Sequence, residues 1–513
     1  MGKFILVLDA GGGGGRAFVV DVNGRCWATS HREWTYQYPG DARPLGVEFA
    51  PDEFWRILCE VSRDVMTQYR LDPEDIIAVS STSMREACVI IDENGRELYA
   101  GPNRDARAIA EAGRQGDAYG EKTYRLTGHW PAPIFASARI PWLARHRPEV
   151  IERAAGLLMM NDWILFKLSG KTASEPTNAA ESGLFDINSL NWSTELADIL
   201  NIPARLFVPI HKPGTVIGEV NEQAAEQTGL SAGTPVVVGG ADTQCGLLGS
   251  GAVNIGDVGI VAGTSTPVQI VMNRPIIDPE GRTWTCPYLL DNTWVVESNA
   301  GATGISLKWF RDSFYQTEMA MAGASSGNLY ALITEEANES PIGSNGVLAY
   351  IGPQIMNARV FKALPGGFTV MQPLDMLNES NGRSDFARAI LESNAFAVRG
   401  NLEQVIQVAG LEPASIRVCG GSAKSEFWIQ MLADVLGKTI LVPLIKEGSA
   451  MGAAVCAAAG VGIYGDLDTA MERMIRYSSV TPQASLYSEY TEAYRRWLTQ
   501  RVSSQTSCQD ENP

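Results

Sequence analysis

Apolar positions along this chain come in short runs closed by glycine or a polar turn. The segment Lys3 to Leu8 is apolar up to Asp9, the five glycines Gly11 to Gly15 follow, and Arg16 to Val22 turns apolar again before Asn23-Gly24. Runs of that length between turn residues predict strand, turn, strand, tight turn, strand. Val258 to Ala262, then Gly263-Thr264-Ser265-Thr266, then Pro267 to Met272 repeat the same theme about half a chain later. Two strand-turn-strand elements of this kind predict two related domains, 1–248 and 249–490. Helical spacing of apolar residues runs over Asp52 to Tyr69, with Asp52 as the cap, over Pro148 to Leu168 and over Asp385 to Gly410. Alternating strands and helices put the chain in the α/β class. The ending SSQTSCQDENP is polar and aperiodic, so 491–513 is expected to be a partly disordered tail.

The glycine run matches the letters of a dinucleotide-binding fingerprint, but that motif opens a helix, and RAFVVDVNGRCWATS is hairpin sequence. A Walker A loop fails too, because the GK[ST] triplets at 170–172 and 437–439 have Leu165 and Leu432 where the first glycine belongs. What remains is a turn of small residues, either a plain flexible loop or a backbone cradle for phosphate.

The 513 residues hold 41 Lys plus Arg against 58 Asp plus Glu, a formal charge of −17, which argues against nucleic-acid binding. An anionic substrate would have to be met locally, by a cation, by backbone N–H groups or by a few basic side chains. The eight cysteines are scattered with no CxxC and no clustering with the four histidines, so neither a disulfide framework nor metal-ligand spacing is supported. His129 and His211 receive no chemistry. The first residues are too short an apolar run for a signal peptide or a membrane helix, and a reducing cytoplasm is the expected location.

Two strand ends draw attention. VVVGGAD over Val236 to Asp242 delivers a carboxylate at the carboxyl end of a strand, either a site residue or a turn-forming Asp. VCGGSAK over Val418 to Lys424 runs a strand into Gly420-Gly421, where a flat ligand can approach bare backbone. In this order the two hairpins, GGAD and GGSAKSEFW resemble the FGGY carbohydrate kinases, which share the duplicated actin-like ATPase fold of actin, Hsp70 and hexokinase. The similarity runs from about residue 4 to about residue 460.

That resemblance implies an enzyme transferring the γ-phosphate of ATP to a sugar hydroxyl, with ATP and Mg²⁺ as cofactors, no nucleic-acid or membrane partner, and a homodimer left open. It implies Asp242 as the catalytic base, for which an ordinary carboxylate acidity suffices, and Asp9 as the residue organising Mg²⁺. Nucleotide contacts fall on Gly11, Gly12, Gly13, Arg16, Gly263, Thr264, Ser265, Gly304, Gly420, Gly421 and Ser425. Substrate contacts fall on Arg85, Glu86, Asn103, Asp105 and Gln244. The chain departs from the family where Gly12, Gly13 and Gly14 replace hydroxyl-bearing residues, and where the Trp of the WxDxR loop is missing at Asn103. The strings SMREA, NRDARA, NDWILFKLSG and GGADTQ are most similar to autoinducer-2 kinases, with pentulose kinases such as xylulokinase as the alternative, and a non-kinase ATP-binding protein of the same fold as a third reading.

Overall fold

The computed structural model describes residues 3–322, 327–360, 366–371 and 382–507. The chain forms two compact units. The first takes residues up to Ile255, Val271–Val296 and Glu447–Arg476; the second takes Gly256–Ile270, Glu297–Lys446 and the residues from Tyr477 on. Beyond a cut near 248/249, Glu447–Arg476 returns to pack with the first unit.

In the first unit the sheet order is Val216–Glu219, Pro235–Ala241, Ile76–Ser83, Phe4–Ala10, Gly14–Asp21, Cys26–Glu33. Phe4–Ala10 is buried along its whole length, as a continuous apolar run in a sheet covered on both faces should be. Gly14 must be glycine for the hairpin to close, since a Cβ there would sit 2.3 Å from the Arg32 carbonyl oxygen. Phe4–Ala10 pairs antiparallel with Gly14–Asp21 and parallel with Ile76–Ser83, which pairs parallel with Pro235–Ala241. Register sets Asp9 beside Thr82, and Ala10 and Ala241 beside Ser83. Three parallel strands thus end at one edge, the place where open α/β sheets carry their sites. Leu6, Leu8, Val79, Val236 and Trp163 belong to the core beneath.

The second unit carries Pro267–Met272, Asp257–Val261, Ser415–Cys419, Ile440–Pro443 and Tyr477–Val480 in that spatial order. Its pairings are antiparallel, parallel, parallel, antiparallel, the same succession found from Gly14–Asp21 to Val216–Glu219 in the first unit. The duplication expected from the two hairpins is present as topology.

Three local expectations are corrected. The helix expected from Asp52 is Pro51–Gln68, with Ala50 at the cap position and Asp52 inside the first turn. Pro148 to Leu168 is not one helix but Pro148–Arg153, the strand Ala154–Met159 and the helix Met160–Ser169; the strand pairs antiparallel with Cys88–Asp92. The expected tail is a helix over Tyr487–Ser507 with Tyr490, Tyr494 and Trp497 buried, while 508–513 lie outside the described residues.

Candidate active site

Asp242 opens the helix Asp242–Gly249 directly after Pro235–Ala241. The two preceding glycines are required by packing: a Cβ on Gly239 would lie 2.1 Å from the Ser81 carbonyl oxygen, and one on Gly240 would lie 2.5 Å from Leu289. The strand end is pinned as well. Thr82 Oγ1 donates to the Gly240 carbonyl at 2.9 Å, and Ala241 N donates to Thr177 Oγ1 at 3.0 Å. Thr177 is held in turn by the buried Glu175, which accepts from its amide and its hydroxyl. Neither Glu175 nor Thr177 stood out in the sequence.

Partial burial pushes the Asp242 carboxyl up to about 7; the Arg85 charge opposes that rise, and the Asp9 charge adds to it. The ordinary acidity expected from the sequence is thus corrected by desolvation. Asp9 lies across from Arg16 in the hairpin; burial raises its carboxyl and Arg16 opposes the rise. The sheet edge therefore brings Asp9, Arg85 and Asp242 into one electrostatic neighbourhood. Gln244, two residues beyond Asp242 on the same helix, is fully buried and neither its Oε1 nor its Nε2 has a hydrogen-bond partner. A buried amide in that state is costly unless something else satisfies it.

Gly11 N donates to the Gly14 carbonyl at 3.1 Å, which closes the turn of the first hairpin. Tyr36 Oη donates to the Gly12 carbonyl at 2.7 Å, Arg104 Nη2 reaches the same oxygen at 3.4 Å, and the Arg104 guanidinium lies over the Tyr36 ring. Tyr36 and Arg104 were missed, because only the fold brings them to the glycines. A Cβ on Gly12 or Gly13 would meet nothing within 4 Å, so the missing side chains are not imposed by crowding.

Arg85 and Glu86 follow Ile76–Ser83 and are both buried. Arg85 Nη1 donates to Glu181 Oε1 at 3.3 Å, and its guanidinium lies 5.4 Å from the centre of the Trp284 ring. Glu86 takes a positive φ of 59°, and its carbonyl accepts from Arg139. Asn103 is half-buried. Asp105 departs from the expected sugar contact. It is fully buried, and its carboxylate accepts from Val47 N, Tyr99 Oη and Arg107 Nε, so its lone pairs are already spent inside the protein. It anchors Arg107 and, 3.9 Å away, Arg139.

In the second unit the turn after Asp257–Val261 has Gly263 N donating to the Ser265 carbonyl at 3.0 Å. Gly304 N donates to the Thr264 carbonyl at 3.1 Å, and a Cβ on Gly304 would sit 2.2 Å from the Gly263 carbonyl oxygen. Gly420 has φ +96°, and a Cβ there would lie 2.6 Å from the Ala262 carbonyl oxygen. The structure thus brings Gly263, Thr264, Ser265, Gly304 and Gly420 together. Gly421 is exposed, with open space where a Cβ would be. Ser425 is occupied otherwise: its Oγ accepts from Trp428 N at 3.2 Å and caps the helix Glu426–Leu436.

Two units with one strand succession, each bearing a small-residue turn after its first strand, define the duplicated actin-like ATPase fold. The chain belongs to the FGGY family of carbohydrate kinases, whose N-terminal domain matches residues 4–249 and whose C-terminal domain matches 258–461. The autoinducer-2 kinase of Klebsiella pneumoniae is 34% identical over 504 residues, spanning 97% of this chain and 93% of that protein. Among solved structures, the xylulose kinase of Rhodospirillum rubrum superposes with a TM-score of 0.80 at 25% identity, covering 98% of this chain and 99% of that one. Plasmodium falciparum glycerol kinase with ADP gives 0.81 at 19% identity, covering 98% of each. The protein is a carbohydrate kinase, and ATP binding follows from the family. Among the described residues no helix is long and apolar enough to cross a membrane.

Proposed function

We propose that this kinase phosphorylates a small open-chain sugar, most like the dihydroxypentanedione of autoinducer-2. The observation that carries the reading is the half-buried Asp242 at the sheet edge, with Arg85 and Asp9 as its charged neighbours and the unpartnered Gln244 two residues on in the same helix. Asp242 takes the proton of the acceptor hydroxyl as its oxygen bonds to the γ-phosphorus; the bond from that phosphorus to the β–γ bridging oxygen breaks, and ADP leaves. Arg85 offers donors, Glu86 an acceptor and Gln244 both, which suits adjacent hydroxyl and carbonyl oxygens. Autoinducer-2 is favoured because relatives bearing that name match nearly the whole chain at about one-third identity. Xylulose is the second reading, favoured by the likeness to the Rhodospirillum rubrum enzyme.

The turn Gly263-Thr264-Ser265 and the bare backbone at Gly420 and Gly421 would take the nucleotide, together with Gly11, Gly12, Gly13 and Arg16 of the first hairpin. Asp9 fits a Mg²⁺ role, because it and Asp242 are two carboxylates whose charges disfavour each other. Bound there, Mg²⁺ would neutralise phosphate charge; the residues of this chain hold the acceptor and move its proton.

The test is ADP release from MgATP over dihydroxypentanedione, xylulose, ribulose, ribitol, fuculose and glycerol, with a no-sugar control. Release above the control with dihydroxypentanedione supports the reading, and preference for xylulose replaces it with the second. Asp242→Asn should abolish release while ATP binding persists; unchanged release would remove Asp242 from the base role.

A further inference from the structure

His129, Glu181 and Cys286 are all fully buried, and one donor atom from each lies within 4.8 Å of the others. The spacing along the chain hides this, since His129 and Cys286 are 157 residues apart. All three belong to the first unit.

The geometry of the trio is that of a metal site before the metal. His129 Nδ1 is 2.8 Å from the Thr127 carbonyl oxygen, which can only accept, so Nδ1 carries a proton and Nε2 is the nitrogen that faces the cysteine and the carboxylate. Nε2 lies 3.5 Å from Cys286 Sγ and 3.7 Å from Glu181 Oε2, and Cys286 Sγ lies 3.8 Å from Glu181 Oε1. Zinc bonds of about 2.0–2.3 Å at tetrahedral angles place nitrogen, oxygen and sulfur ligands roughly 3.4–3.6 Å apart. The two contacts of Nε2 lie within a few tenths of an ångström of such edges; with one donor atom from each residue the trio lies within 4.8 Å, so the remaining carboxylate–sulfur edge closes by side-chain adjustment. Independently, Glu181 Oε2 is a buried carboxylate oxygen with no hydrogen-bond partner, and it is the oxygen that faces His129. The supporting contacts that orient such ligands are also present: Thr127 fixes the imidazole, and Arg85 holds the other oxygen of Glu181. The rings of Phe135 and Trp284 lie 5.2 and 5.0 Å from the imidazole centre and complete an apolar wall.

We propose that His129 Nε2, Glu181 and Cys286 Sγ bind one divalent transition-metal ion of the zinc type, leaving a fourth position for a water oxygen. On binding, the sulfur–metal bond replaces the S–H bond, the thiol proton goes to solvent, and no electron changes hands. Imidazole, carboxylate and thiolate together favour such an ion over Mg²⁺ or Ca²⁺, which take oxygen ligands. The proposal stands whichever sugar the kinase uses.

The full-length protein, produced in medium supplemented with cobalt or zinc, should carry about one ion per chain by elemental analysis. The cobalt form should show a thiolate-to-metal charge-transfer band in the near ultraviolet. Cys286→Ser should abolish that band, and Glu181→Gln should weaken zinc binding by at least about 10-fold. Circular dichroism identifies variants that fail to fold, and anomalous scattering from crystals of the zinc-grown wild type provides a readout independent of any substitution. A peak among the three side chains supports the site. Less than about 0.1 ion per chain in the wild type, or a charge-transfer band that survives in Cys286→Ser, overturns it.

Discussion

Asp242→Asn should make the protein more stable as well as inactive, and the gain should depend on pH. The folded state raises this carboxyl from an ordinary 3.8 to about 7. Between those values the folded protein holds the proton more tightly than the unfolded chain, so the contribution to stability is complete below about pH 4 and is lost as pH climbs through about 7. At about 1.4 kcal/mol per pH unit, the whole interval corresponds to about 4 kcal/mol. The carboxyl is partly open to water, and screening reduces what an unfolding experiment should read to about 1–2 kcal/mol. Asparagine has the same shape and never ionises, so the variant escapes the penalty. Thermal unfolding without nucleotide or Mg²⁺ at pH 4.5 and 8 tests this. The variant should match the wild type at the lower pH and melt about 1–3 °C higher at the upper one. A variant less stable than wild type at pH 8, or an offset equal at both pH values, would refute the desolvation argument.

Three other outcomes follow from the same geometry. The kcat/KM of the wild type should rise with pH through about 7, as a base must be ionised to act, and a flat profile from pH 5.5 to 8 would contradict it. Gly13→Thr should leave unfolding and ATP binding nearly unchanged, whereas Gly14→Ala, with its Cβ 2.3 Å from the Arg32 carbonyl oxygen, should cost about 1–3 kcal/mol in denaturant unfolding. Asp105→Ala strips the shared carboxylate from Arg107 and Arg139 and should destabilise by about 3–5 kcal/mol. A raised sugar KM at unchanged stability would instead return Asp105 to the substrate.

The parts of the fold legible in the sequence are those fixed by local pattern. Asn23-Gly24 and the glycine run announce the first hairpin, GTST the second, and the long apolar spacing after Asp385 appears as the helix Arg383–Ala409. Pro148 to Leu168 misled because a short apolar run such as Ala154–Met159 suits a buried strand and a helix face equally. The terminal helix is signalled only by Tyr490, Tyr494, Trp497 and Arg501 at helical spacing, a narrow stripe in an otherwise polar ending. In the site, Asp242 stands at the strand end that GGAD marks, whereas Arg85 follows Ile76–Ser83 and came only from the family resemblance. Tyr36, Arg104, Glu181, His129 and Cys286 reach it or its surroundings through tertiary contacts, which spacing along the chain cannot carry.

The return of Glu447–Arg476 to the first unit has a consequence during synthesis. The helix Gly448–Gly460 packs against the helix Asp242–Gly249 at backbone distance: a Cβ on Gly249 would lie 2.0 Å from the Gly448 carbonyl oxygen, and one on Gly452 would lie 2.0 Å from the Cys245 carbonyl oxygen. Ser449 Oγ also donates to the carbonyl of Asp242 itself. The helix that bears Asp242 is therefore translated about two hundred residues before its packing partner leaves the ribosome. Until then a nascent first unit must keep an apolar face waiting, and a chain truncated before Glu447 would retain Asp242 without the helix that seats it.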